Sequence, residues 1–286
     1  MTSGDFMRAI LTGVALSCAL SAGSFEAATD LYRHTEYHES LKLLLPIAHK
    51  DPGTLQLIGQ DYFMLGDYKK STEALEKAAL LAPGDPHVLY WLGRTYARRA
   101  ETANPFSAPG WASKARQMLE KSVALDPANK DATGDLLDFY LEAPGFLGGG
   151  VQKAEALART IGTVDPAEGH YAQALIEDRQ KHYDQAEEHF RHAAELGPKQ
   201  VGRVVDLAKY LAKRGEFQES EVMWNRAAQM APDNPKIMFE RAHTYIKVQR
   251  NLQQARQLLE RYIRAPLTPD DPPRAEAESL LKKMGA

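Results

Sequence analysis

The 286-residue sequence predicts an all-α fold, a solenoid of stacked helix-turn-helix repeats. Three observations carry that expectation. A set of large, small and aromatic residues returns along the chain at intervals of about 34 residues, the length of one helical hairpin. Within each copy the apolar positions fall three and four apart, the period of one helix face. Proline closes copy after copy, at a place where its missing N–H ends a helix without damaging the interior.

The copies can be taken in order. The first is incomplete, with Ala28 and Leu31 upstream and Tyr37, Leu44, Ile47 and Pro52 forming its second half. The second runs through Leu55, Ile58, Gly59 and Tyr62, then Gly66, Tyr68, Ser71, Leu75, Ala78 and Pro83. The third repeats that order as Leu89, Leu92, Gly93 and Tyr96, followed by Ala115, Leu119, Ser122 and Pro127. In the fourth, helices ending near Glu142 and beginning near Val151 flank a glycine-rich turn. The fifth shows Ala174, then Tyr183, Ala186, Phe190, Ala193 and Pro198. Val204, Leu207, Ala208 and Leu211 open the sixth, which continues through Gly215, Phe217, Ser220, Trp224, Ala227 and Pro232. The seventh is Met238, Ala242, Tyr245, Ala255, Leu259 and Tyr262. Pro266, Pro269, Pro272 and Pro273 then break the chain, and Arg274 to Met284 returns to helical spacing with Leu280 and Leu281 facing inward.

Small residues such as Gly59, Gly93 and Ala208 beside bulky ones let two helices approach closely. The resulting hairpin retains apolar surface that it cannot bury alone, so neighbours must stack on it. These residues resemble the tetratricopeptide repeat (TPR) family. The resemblance implies a right-handed α-solenoid with a C-terminal capping helix, a non-enzymatic role and a protein or peptide partner. Residues 24–265 then form about seven repeats and 266–286 a proline-rich linker with the capping helix, in one continuous array.

The first 23 residues differ in character. Arg8 precedes the apolar stretch Ala9 to Leu20, and Ser21, Ala22 and Gly23 are small, which is the layout of a cleaved secretory signal. The run is shorter than the roughly 20 apolar residues of an ordinary membrane span. Cleavage after Ser21 or Gly23 gives a periplasmic or otherwise exported protein; an uncleaved anchor and lipidation at Cys18 are the alternatives. Cys18 is the only cysteine, so removal of the signal leaves no thiol for a disulfide or a nucleophile. The formal charge of -3 gives no general attraction to nucleic acid.

Motifs for chemistry are sparse. No catalytic residue set, cofactor fingerprint or metal site emerges. The turn 143–150 has Val151 and Gln152 where a phosphate loop needs Lys and Ser or Thr. The turn 101–111 carries Phe106 and Trp111, which either grip a partner or fold back onto neighbouring turns. A small-ligand site or enzyme built on these two turns is the competing functional reading. His34 and His38, and His189 and His192, have helical spacing suited to two metal nitrogens but no evident third ligand.

The family resemblance assigns function to the concave groove lined by the first helix of each repeat. At matching positions stand Tyr90, Arg94, Arg98, Tyr171, Arg179, Lys209, Lys213, Phe239, His243 and Lys247, with Gln56, Gln60 and Asp138 beside them. Tyr and Phe would anchor a partner segment, while Arg and Lys would orient carboxylates. Alternatively, Arg94 and Arg98 pair with Asp138 and Glu142. The ordered Lys and Asn set of chaperone-tail clamps is missing, and no chaperone partner is implied. The expected role is an interaction scaffold of the bacterial cell envelope.

Overall fold

The computed structural model describes residues 23–285. The expected signal segment before Gly23 and Cys18 lie outside them. Among the described residues every regular element is helical, and none of the helices is long and apolar enough to cross a membrane. Two compact units divide the chain after Met118.

The first unit contains α1 (23–33), α2 (Tyr37–Leu44), α3 (Pro52–Met64), α4 (Tyr68–Leu81) and α5 (Pro86–Thr102). The division falls within α6 (Ala108–Leu125). In the second unit follow α7 (Lys130–Glu142), a 3-10 turn (Gly145–Leu147), α8 (Val151–Val164), α9 (Pro166–Arg179) and α10 (Tyr183–Leu196). It continues through α11 (Val201–Arg214), α12 (Phe217–Met230), α13 (Pro235–Lys247), α14 (Leu252–Tyr262) and α15 (Arg274–Gly285).

Helices pack on their successors from α2 to α5 and from α7 to α15, and the first helices of adjacent hairpins also meet, α3 on α5, α7 on α9 and α11 on α13. This is solenoid packing within each unit. Its cause is visible at the small residues: Ala174, Ala208 and Ala242 are fully buried, as are their partners Ala186, Trp224 and Ala255. A serine locks the close approach. Ser71 Oγ donates to the Gly59 carbonyl at 2.8 Å and Ser220 Oγ to the Ala208 carbonyl at 2.7 Å, so the recurrent serine of the second helix holds the small residue of the first.

Helix starts are set by acceptors the repeat pattern did not single out. Asp51, Asp85, Asn129, Asp165 and Asn234 each accept an N–H of the following turn, and four of the five are followed at once by proline at the start of the helix. The prolines that close the repeats, Pro83, Pro127, Pro198 and Pro232, stand in the turns just past α4, α6, α10 and α12. In the second unit α15 lies over α14, burying Ala277 with Leu259 and Tyr262 and half-burying Leu280 and Leu281.

Candidate functional site

The groove of the second unit is built by the first helices of its hairpins. Side chains of α9, α11 and α13, with Phe190 of α10, line a cavity of about 510 Å³. Tyr171, Leu175, Phe190 and Tyr210 give it an apolar floor, and Lys209, Lys213, His243 and Lys247 stand around it with Asp178 and Asp206. Five of the residues expected from sequence, Tyr171, Lys209, Lys213, His243 and Lys247, therefore share one concavity.

Ion pairs knit the helices that form it. Lys213 Nζ reaches Asp178 at 2.6 Å and Lys209 Nζ reaches Glu240 at 2.7 Å. Deeper in, the Arg203 guanidinium stacks over the Tyr171 ring at 3.7 Å and lies 3.3 Å from both Glu168 and Asp206. Lys130 extends this chain to α7 through Asp165 at 2.7 Å and Glu168 at 3.4 Å. Burial raises the Asp206 carboxyl to about 6 despite Arg203 and Lys209 beside it. Burial also raises the Tyr171 phenol, and raises that of Tyr210 to about 12, so both stay neutral near pH 7. Asp138 is raised to about 6 by burial first, then by Asp135 and Glu142.

The other expected residues sit elsewhere. Phe239 is only 3% exposed and packs against Tyr262 and the His243 ring, so it serves the core of α13 and α14 and offers no anchor to a partner. Arg179 is exposed at the end of α9 and does not line the cavity. In the first unit Tyr90 is buried, with Trp91 against it and Arg94 over its ring. The Arg94 guanidinium also lies over Phe63 and Trp91, at 5.1 and 4.9 Å, and Arg98 donates to Tyr68 Oη at 3.1 Å and pairs with Glu101. Gln56 and Gln60 are half-buried on α3.

The expanded turns have structural explanations of their own. In the glycine run, Gly148 N–H donates to Gly145 O at 2.9 Å, Gly149 N–H to Pro144 O at 3.3 Å and Gly150 N–H to Tyr140 O at 2.8 Å. The donors an anion would need are turned inward. A Cβ on Gly149 would stand 1.9 Å from the Ala143 carbonyl oxygen, and Gly148 and Gly150 have φ of 94° and 139°, so the turn itself requires glycine. Phe106 is 97% exposed, whereas Trp111 is held between Arg99 at 3.6 Å and Lys114 at 4.8 Å.

The His189 and His192 pair has a third member that escaped the sequence reading. His170 of α9 joins His189 and His192 of α10, with 2.9 Å between the Nδ1 atoms of His170 and His189 and 5.3 Å between the His170 and His192 rings. Glu188 and Glu195 flank His192 at 3.6 Å. Burial lowers both His170 and His189, and neighbouring imidazoles lower them further, while Glu177 and Glu188 oppose this at His189. Among the described residues no group of three or more His, Cys, Asp or Glu side chains is arranged to hold a metal ion. His34 instead contacts the Asp30 carbonyl at 2.8 Å, and His38 lies in α2.

Comparison with known proteins agrees with this architecture. Two tetratricopeptide repeat profiles match, over residues 167–200 and 205–272. Among solved structures, a tetratricopeptide repeat protein of Parabacteroides merdae is 12% identical, with 94% of this chain and 100% of that one covered and a TM-score of 0.57. A thermophilic TPR protein of Thermus thermophilus is 19% identical, with 67% and 98% covered and a TM-score of 0.52. At such identities the likeness is one of fold. No curated protein matches the sequence. The recurring residues, the hairpin packing they produce and the two matched segments agree: residues 167–200 and 205–272 match tetratricopeptide repeats, and the fold is that of a tetratricopeptide repeat solenoid.

Proposed function

We propose that the protein is a non-enzymatic scaffold of the bacterial cell envelope that holds an extended segment of a partner protein in the groove of α9, α11 and α13. The observation that carries this reading is the convergence of Tyr171, Lys209, Lys213, His243 and Lys247 on one cavity with an apolar floor. Aromatic rings supply contact area at low entropic cost, and lysines around them orient carboxylates or backbone carbonyls. A repeat family that presents concave surfaces to partners supports the same reading. Export rests on Arg8 and the apolar run Ala9 to Leu20.

A photo-crosslinking amino acid placed at Leu175 in the groove, against one placed at exposed Glu188 on α10, tests the binding surface in the native host. Partner adducts should form from position 175 and be lost when Lys209, Lys213 and Lys247 are all changed to Ala. Equal adducts from position 188, or adducts that survive the triple change, would place the partner elsewhere. Intact mass of the protein from the envelope fraction tests export, with loss of the first 21 or 23 residues expected and a full-length cytosolic mass counting against it.

A further inference from the structure

The groove of the second unit is graded in charge, and the gradient follows from equivalent positions in successive repeats. Leu137, Ala174, Ala208 and Ala242 take the same buried slot in α7, α9, α11 and α13, each at most 1% exposed. One residue further on stand Asp138, Leu175, Lys209 and His243, the last three of them lining the cavity. One turn beyond those stand Glu142, Arg179, Lys213 and Lys247. Both rows begin acidic at α7 and become cationic toward α13.

Internal pairing does not erase the gradient. Asp178 and Glu240 already neutralise Lys213 and Lys209. The charges left open are at the two ends. Asp138, whose side chain reaches solvent although surrounding protein crowds its carboxyl, and exposed Glu142 hold no ion pair among the described residues, and neither do exposed Arg179 and Lys247. Asp138 stands beside the groove because α7 packs against α9, where its charge also raises the Tyr171 phenol. Its own carboxyl is pushed up to about 6 by burial and by Asp135 and Glu142, so a cation placed there would relieve a crowded negative patch.

We propose that the groove selects an extended peptide of split charge, basic where it crosses α7 and acidic where it crosses α11 to α13, with apolar residues between them over Leu175, Phe190 and Tyr210. This rests on the groove being the partner site, as proposed above. Helices packed about 8–10 Å apart put α7 and α13 roughly 25–30 Å apart. An extended chain covers that span in about eight residues at about 3.3 Å each.

Three fluorescein-labelled twelve-residue peptides test the order of charge by anisotropy at low salt. One carries two lysines at one end, two glutamates at the other, and leucine and tyrosine between; the others carry glutamates at both ends or lysines at both ends. The split-charge peptide should bind about tenfold more tightly than either, and Asp138→Lys with Glu142→Lys should transfer the preference to the doubly acidic peptide. Lys247→Glu with Lys213→Glu should transfer it to the doubly basic one, and circular dichroism of each variant reports its fold. Equal binding of all three peptides, or a preference that neither pair of changes moves, overturns the charge order and leaves the groove as a binding site. Absence of binding by every peptide overturns both.

Discussion

The carboxyl of Asp61 is fully buried in the first hairpins, where it accepts the Ser40 hydroxyl at 2.7 Å and holds no ion pair among the described residues. Burial therefore pushes it up to about 7 from an ordinary 3.8, against a smaller opposing effect from Ser40. A carboxyl raised in the folded state favours folding when protonated, so its contribution is present below pH 4 and is lost as pH rises through about 7. Asp61→Asn should raise the protection of α2 and α3 strongly at pH 8 and much less at pH 4, measured by hydrogen exchange. The histidine trio of the second unit has the opposite sign. His170 and His189 are lowered below the ordinary 6.5, so the stability they contribute is present above that value and is lost as pH falls through their folded values. Protection of α9 and α10 should decline on acidification from pH 8 to 5, and His170→Gln should flatten that decline. An unchanged slope in the variant would show that the acid response lies elsewhere, for example at the Glu188 and Glu195 pairs of His192. Sequence reading found His189 and His192 because they are three apart on one helix. It missed His170 because the contact is made across the α9–α10 hairpin, and nothing local marks which face of α9 turns toward α10. Phe239 failed in the converse way: its position matched a groove register, but its ring is drawn into the core of α13 and α14.

At the scale of helices, the approach of α8 to α9 depends on a glycine pair that the recurring pattern did not reveal. A Cβ on Gly169 would lie 2.4 Å from the Gly162 Cα and 2.9 Å from its nitrogen, and backbone cannot swing aside as a side chain can. Gly169→Ala should therefore lower stability by about 1–3 kcal/mol or more, as overpacking does, beyond any gain in helix propensity. Urea denaturation of the purified protein measures it; a neutral result would mean that the two helices can separate freely. Helix starts make a smaller demand. Asp85 accepts N–H groups from His87 and Val88, and Asp85→Ala should cost about 1 kcal/mol, with faster exchange confined to the first turn of α5. The order and spacing of the hairpins were readable because large, small and aromatic residues at helical intervals state which face is buried. Gly162 and Gly169 were not readable as a contact, because they belong to different helices and their closeness depends on the angle at which α8 meets α9. The glycine run 143–150 was readable as a turn, while the inward aim of its N–H groups depends on the 3-10 turn at Gly145–Leu147.

For the whole molecule, the physics of repeats makes stability a sum of intrinsic hairpin terms and nearest-neighbour interfaces, so an end must be covered or it frays. In the second unit α15 is that cover. Ala277 is fully buried among Ala255, Leu259 and Tyr262, with Leu280, Leu281 and Met284 at its margin, and Tyr262 Oη donates to the Pro272 carbonyl. Arg256 reaches the Met284 carbonyl at 3.1 Å, fixing the far end of the helix. A chain ending at Ala265 would expose this surface and leave α14 with packing on one side only. Its melting midpoint should fall, and α13 and α14 should lose about tenfold or more in exchange protection while α9 and α10 lose much less. That graded loss is what nearest-neighbour coupling requires, because the α9–α10 interface does not touch α15. A uniform loss from α7 to α14 would instead mean that the second unit opens all at once, and groove residues as far apart as Tyr171 and Lys247 would then be stabilised together by the cover at the C-terminal end.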